Sequence, residues 1–75
     1  MIKCIHIYKN KEEKEIAIDR VLGLFDSMNF DKLNDYETKT FYSANGDIVL
    51  QIWLNSKIQY LPGIEDKVKS MMVPL

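Results

Sequence analysis

The first strand-like stretch covers residues 2–8, where β-branched side chains recur and successive residues point in opposite directions. One direction holds Lys3, Ile5 and Ile7. The other direction holds Ile2, Cys4, His6 and Tyr8. Both sets contain apolar residues. We expect Ile5 and Ile7 to face the core and the second set to face away from it.

A helix is predicted to begin at Asn10 and to run to about Met28. Asn10 is followed three residues later by Glu13, the spacing of a capping box. Gly23 falls inside this segment, and we interpret it as a position of close packing on the sheet. The apolar stripe at helical spacing consists of Ile18, Val21, Leu22, Phe25 and Met28.

Residues 36–54 contain two strand-like runs joined by Ser-Ala-Asn-Gly-Asp. The dipeptide Asn45-Gly46 is typical of a two-residue type I′ turn, in which both residues adopt positive φ. Such a turn sets the register of the hairpin, and it places Tyr42 opposite Val49. A loop precedes this hairpin.

The last part of the chain predicts a short strand and a second helix. The chain is expected to bend at residues 55–56 and to resume a strand at 58–60. Pro62 suits the first turn of a helix, and Pro74 would end it. The apolar side of this helix consists of Ile64, Val68, Met71 and Met72.

The element order β-α-β-β-α predicts an α+β two-layer sandwich. A right-handed crossover makes the first two strands parallel, and the hairpin makes the third antiparallel to the second. Residues 48–54 are the most apolar, so they are placed in the centre of a sheet with order 1-3-2. Both helices then cover one face, and residues 1–75 form a single domain.

The predicted register divides the sheet residues between two faces. The core face would consist of Ile5, Ile7, Phe41, Ile48, Leu50, Ile52 and Leu54. The face opposite the helices would carry Tyr36, Thr38, Thr40, Tyr42, Val49, Gln51 and Trp53, joined by Ile2, Cys4, His6 and Tyr8 from the first strand. Four aromatic residues on an open face exceed what solubility requires.

Composition and charge exclude several classes of protein. Apolar residues make up 47% of the chain and charged residues 28%, which is typical of a folded domain. The net charge of −1, with both signs interspersed, lacks the basic cluster of a duplex-DNA binder and the acidic run of a DNA mimic. Nine lysines against one arginine favour an AT-rich genome, such as that of a low-GC bacterium or its phage.

The sequence lacks the features that are typical of secreted and membrane proteins. A single cysteine excludes an internal disulfide, and the apolar stretch at the start is too short for a signal peptide. No stretch approaches the roughly 20 apolar residues of a membrane span. We therefore expect a cytoplasmic protein that does not enter a membrane.

Candidate chemistry is sparse. Cys4 and His6 would share one strand face, but two residues along a strand exceed hydrogen-bond distance, and no third group orients them. They are also the only cysteine and histidine, which is too few for a zinc site. We expect neither a catalytic site nor a metal or other cofactor.

Three functions remain as hypotheses. The leading one is a non-enzymatic regulator or inhibitor that binds another protein, or a second copy of itself, through the open aromatic face. A phage inhibitor of a host system is one version. The residues assigned to this interaction are His6, Tyr8, Tyr36, Tyr42, Val49, Gln51 and Trp53. The alternatives are a single-stranded nucleic-acid-binding module that stacks bases on this face, and an enzyme.

Overall fold

The computed structural model describes residues 1–74, apart from the side chain of Ser56, so Leu75 of the predicted domain lies outside the described residues. Six elements follow in chain order: β1 (Ile2–Tyr8), α1 (Lys11–Ser27), β2 (Tyr36–Tyr42), β3 (Ile48–Leu54), a 3₁₀ helix (Ser56–Tyr60) and α2 (Ile64–Met72).

The three strands form one antiparallel sheet with the order β1-β3-β2. β3 pairs antiparallel with both neighbours, so β1 and β2 run parallel to each other on its two sides. The α+β class and the strand order are therefore confirmed. β3 takes the centre because it is apolar on both sides, whereas each edge strand leaves one row of backbone groups unpaired.

The core lies between the sheet and the two helices. Every second residue of β3 is buried: Ile48, Leu50, Ile52 and Leu54. They join Val21 and Phe25 of α1, and Val68 and Met72 of α2, in one continuous cluster. Burial of each such side chain contributes roughly 1.5–3 kcal/mol. The predicted burial of these four β3 residues is confirmed.

Both ends of α1 are capped. The Asn10 side chain accepts a hydrogen bond of 2.8 Å from the Glu13 amide, as the sequence predicts. At the other end Asn29 has a φ of 59°, and the Phe30 amide donates to the Phe25 carbonyl at 3.0 Å. This is a Schellman motif, and its usual apolar contact is made by the rings of Phe25 and Phe30, 5.6 Å apart.

The β2–β3 turn is one residue longer than predicted. Ser43 and Asp47 pair at its base, since the Ser43 amide donates to the Asp47 carbonyl at 2.9 Å. Gly46 has a φ of 90°, while Asn45 does not take a positive φ. This is the three-residue loop in which a type I turn precedes a left-handed residue. Tyr42 therefore pairs with Ile48 rather than with Val49.

This one-residue change reverses the two faces of β2, because side chains alternate along a strand. Phe41 points away from the helices and is 48% exposed, so its predicted place in the core is wrong. Tyr36 instead is buried, with its ring 4.4 Å from that of Phe25.

The faces of β1 are also reversed relative to the prediction. Cys4 and Tyr8 are buried beneath the helices, while Ile5 and Ile7 are exposed on the other side. Tyr8 explains this choice, because its ring fills the core and its hydroxyl donates a hydrogen bond to the Met72 carbonyl at the end of α2.

Two predictions for the last part of the chain are wrong. Residues 56–60 form a 3₁₀ helix instead of a strand. Pro62 lies before α2, in a turn closed by a 3.2 Å hydrogen bond from the Ile64 amide to the Leu61 carbonyl. Gly63 has a φ of 75° and a ψ of 1°, which is typical of the third position of a type II turn.

Gly23 offers a test of helix stability. It is exposed in α1, and a Cβ atom added there would meet nothing within 4 Å, so the predicted close packing on the sheet is wrong. Gly23→Ala should raise the free energy of unfolding by up to about 1 kcal/mol, measured by urea denaturation. Gly63→Ala is the control and should destabilise, because its φ is positive. A loss of stability in Gly23→Ala would contradict this account.

Candidate interaction face

The side of the sheet turned away from the helices is called here the open face. It is formed by every second residue of the three strands: Lys3, Ile5, Ile7, Glu37, Lys39, Phe41, Val49, Gln51 and Trp53. Since both helices pack on the other side, these side chains contact mainly one another and solvent.

Cross-strand pairing arranges the open face in three rows that each cross β1, β3 and β2 in that order. The rows are Ile7–Val49–Phe41, Ile5–Gln51–Lys39 and Lys3–Trp53–Glu37. Directly paired residues in neighbouring strands have their Cβ atoms roughly 5 Å apart. The open face therefore has an apolar end, formed by the first row together with Ile5, and a tryptophan end, at the third row.

The apolar end is a continuous exposed patch. Ile7 is 56% exposed, Ile5 and Phe41 are each 48% exposed, and Val49 between them is partly buried. No charged residue belongs to the row of Ile7, Val49 and Phe41. Single exposed apolar residues are common on protein surfaces, but a contiguous group on a flat face is typical of an interaction site.

The tryptophan end is held by interactions within the chain. The Trp53 indole donates a 3.1 Å hydrogen bond to the Gln51 side-chain oxygen. The ammonium groups of Lys3 and Lys39 lie 4.9 Å and 5.0 Å from the centre of the indole ring. Each such cation–π contact is worth about 0.5–1 kcal/mol at an exposed site. Trp53 is partly buried by these neighbours, which orient its ring.

The structure brings together only part of the predicted interaction residues. Val49, Gln51 and Trp53 lie on the open face as predicted. The residues that lie on the helix side instead are His6, Tyr8, Tyr36 and Tyr42. The prediction that all seven share one open face is thus wrong for four residues. In both β1 and β2, the residues that were predicted to face away from the helices lie on the helix side.

Six residues of the open face were not predicted to lie there: Lys3, Ile5, Ile7, Glu37, Lys39 and Phe41. The signal that could have found Lys39 and Phe41 is Gly46, since a glycine also suits the left-handed position that closes a three-residue loop. The alternation of residues in β1 alone does not indicate which of its two sides faces the helices, because both sides carry apolar residues.

Cys4 and His6 both lie on the helix side of β1. Burial raises the pKa of the Cys4 thiol, partly offset by Lys69, so the thiol stays protonated at neutral pH. The Nδ1 atom of His6 is buried and lacks a hydrogen-bond partner, and its ring lies 4.6 Å from that of Tyr8. Within residues 1–74, no three side chains of the metal-ligating types come together.

A depression on the helix side has a volume of about 140 Å³. It is lined by Glu13, Ile16, Ala17, Arg20, Val73 and Pro74. Sites for small molecules usually have volumes of about 300–1,000 Å³, so this depression is too small to enclose one.

No family model matches the chain, and no curated protein or solved structure matches it either. Among the residues that the structure describes, no helix is both long enough and apolar enough to cross a bilayer.

Tyr8 should make the fold sensitive to alkali. Burial raises the pKa of its hydroxyl to about 12, from an ordinary value of 10, so the folded chain holds this proton more tightly than the unfolded chain. The contribution of the Tyr8 hydroxyl to the free energy of unfolding is fully present below about pH 10. It is lost as the pH rises to about 12, and the loss amounts to up to roughly 2–3 kcal/mol. Tyr8→Phe should lower stability at neutral pH by about 1 kcal/mol and reduce this alkaline loss.

The measurement is urea denaturation at a series of pH values. Tyr60→Phe, at a side chain that is 80% exposed, is the control for removing one hydroxyl. Part of the loss of folding stability at high pH will remain in Tyr8→Phe, because the pKa values of Cys4, Tyr36 and Lys69 are raised as well. An unchanged pH dependence in Tyr8→Phe would show that Tyr8 does not govern it.

Proposed function

We propose that this protein is a small non-enzymatic interaction module that binds another protein through its open face. It would regulate or inhibit its partner by covering a surface that the partner needs. The observation that carries this proposal is the apolar end, where Ile5, Ile7 and Phe41 are about half exposed around Val49.

The apolar end has the character of an interface centre. Charged residues are depleted in the centres of protein interfaces, and aromatic residues are enriched there. Phe41 provides the aromatic side chain, while the charged side chains of Lys3, Glu37 and Lys39 lie in the other two rows. An apolar centre with charges to one side would give a partner both binding energy and a fixed orientation.

A matched pair of isoleucines tests the proposal. Ile7 on the open face and Ile16 on α1 are each 56% exposed, so replacing either should cost similar stability. The few residues that dominate an interface each contribute about 2 kcal/mol or more. If Ile7 is one of them, Ile7→Asp should weaken partner binding roughly 30-fold or more. Ile16→Asp should bind like the wild type.

The experiment is affinity capture from the native host, identification of the captured protein, and titration with that protein after purification. Trp53 is the only tryptophan, so its fluorescence reports binding to the open face whenever the partner lacks tryptophan. Equal binding by the wild type and Ile7→Asp, with both variants folded, would refute the proposal.

Single-stranded nucleic acid is a second candidate partner. The observation that favours it is the tryptophan end, where the ammonium groups of Lys3 and Lys39 lie on the same face as an aromatic ring. Stacking of a base on such a ring is worth about 1–3 kcal/mol, and nearby lysines would attract phosphates. Glu37 in the same row opposes such binding, and the net charge of −1 gives no long-range attraction.

A titration of labelled single-stranded and duplex oligonucleotides separates the two candidates. For a protein-interaction module we expect no dissociation constant below the usual non-specific range of about 10⁻⁶–10⁻⁴ M at physiological salt. Submicromolar binding of the single strand, lost with added salt and in Trp53→Ala, would favour the nucleic-acid module. Lys57→Glu is the charge control, because Lys57 lies in the 3₁₀ helix outside the sheet.

A further inference from the structure

We infer that the open face also fits a second copy of this chain, in a two-fold dimer whose axis runs parallel to the strands. This inference rests on the proposed function, because it names one partner of the same face. It is carried by the order of the three rows, which makes the face complementary to itself.

A two-fold axis that lies between the two sheets and runs parallel to β3 places β1 of one copy over β2 of the other. Each row of one copy then lies over the same row of the second copy. The first row then brings Ile7 over Phe41 of the second copy, and Val49 over its counterpart. The third row brings Lys3 over Glu37 of the second copy. Each contact between two different residues occurs twice, as a two-fold interface requires.

The same rotation sets one charged side chain of each copy against an apolar one, in the second row. Two sheets packed face to face align their strands to within about 30° and lie about 10 Å apart. Lys39 falls over Ile5 of the second copy. Its methylene stem can cover the isoleucine, while its ammonium group keeps its contact with the Trp53 ring.

The other simple arrangement is unfavourable. An axis in the plane of the sheet but perpendicular to the strands would reverse the rows. It would place Lys3 over Ile7, and Glu37 over Phe41, of the second copy. Two charged residues of each copy would then lie against apolar side chains, compared with one in the first arrangement, and no Lys3–Glu37 pair would form. Each such contact costs desolvation of a charge without a compensating partner.

The size of the face predicts a weak dimer. Three strands spaced about 4.8 Å apart, with three rows of side chains, give a flat area roughly 14 Å wide and 20 Å long. Two such areas bury less than the roughly 1,200 Å² of a standard interface. We therefore expect a dissociation constant in the micromolar range or weaker, and dimers only in concentrated solution.

The test is sedimentation equilibrium over a range of protein concentrations. The wild type and Ile16→Asp should both approach twice the monomer mass as concentration rises, whereas Ile7→Asp should remain monomeric. Lys3→Glu alone and Glu37→Lys alone each place like charges across both symmetry-related contacts, and each should weaken the dimer about three- to tenfold. The double variant with both reversals should regain wild-type association.

Two outcomes would overturn the inference. One is a wild type that stays monomeric at every concentration. The other is a dimer that Ile7→Asp does not weaken, which would place the contact on the edge of β1 or β2. Neither outcome decides the proposed function, which fails separately if Ile7→Asp still binds the captured host protein as tightly as the wild type.

Discussion

The pairing of β3 with both edge strands determines what each surface of the sheet presents. β3 buries Ile48, Leu50, Ile52 and Leu54 against the helices, so Val49, Gln51 and Trp53 must face the other way. Every residue of β1 and β2 takes its side of the sheet from the β3 residue that it pairs with. A one-residue shift in either pairing would exchange the covered and the open sets of that strand.

Each edge strand is fixed in register by an aromatic residue that the helices hold. Tyr8 of β1 is buried, and its hydroxyl donates to the Met72 carbonyl, which ties the strand to the end of α2. Tyr36 of β2 packs on Phe25, which also closes the Schellman motif of α1. The helix ends and the strand registers therefore depend on one another, and the open face is what these contacts leave uncovered.

The sequence predicts the elements and the strand order because those follow from strong local patterns. The Asn10 cap indicates only the start of a helix, and the apolar run of β3 indicates only a central strand. The turn does not, because Asn45-Gly46 suits a two-residue turn and Gly46 alone suits a three-residue one. β1 has apolar residues on both sides, so its phase depends on Tyr8 reaching α2, a contact that only the tertiary structure shows.

The two ends of the open face differ in what they would gain from a partner. The Trp53 indole already donates a hydrogen bond to Gln51 and has two lysine ammonium groups over its ring. Covering it would therefore add little and would require those ammonium groups to lose water. Ile7 and Phe41 have no comparable contacts on their outer sides, so covering them removes apolar surface from water directly. Binding energy should therefore come from the apolar end, while the charges at the tryptophan end decide which orientation of the partner is accepted.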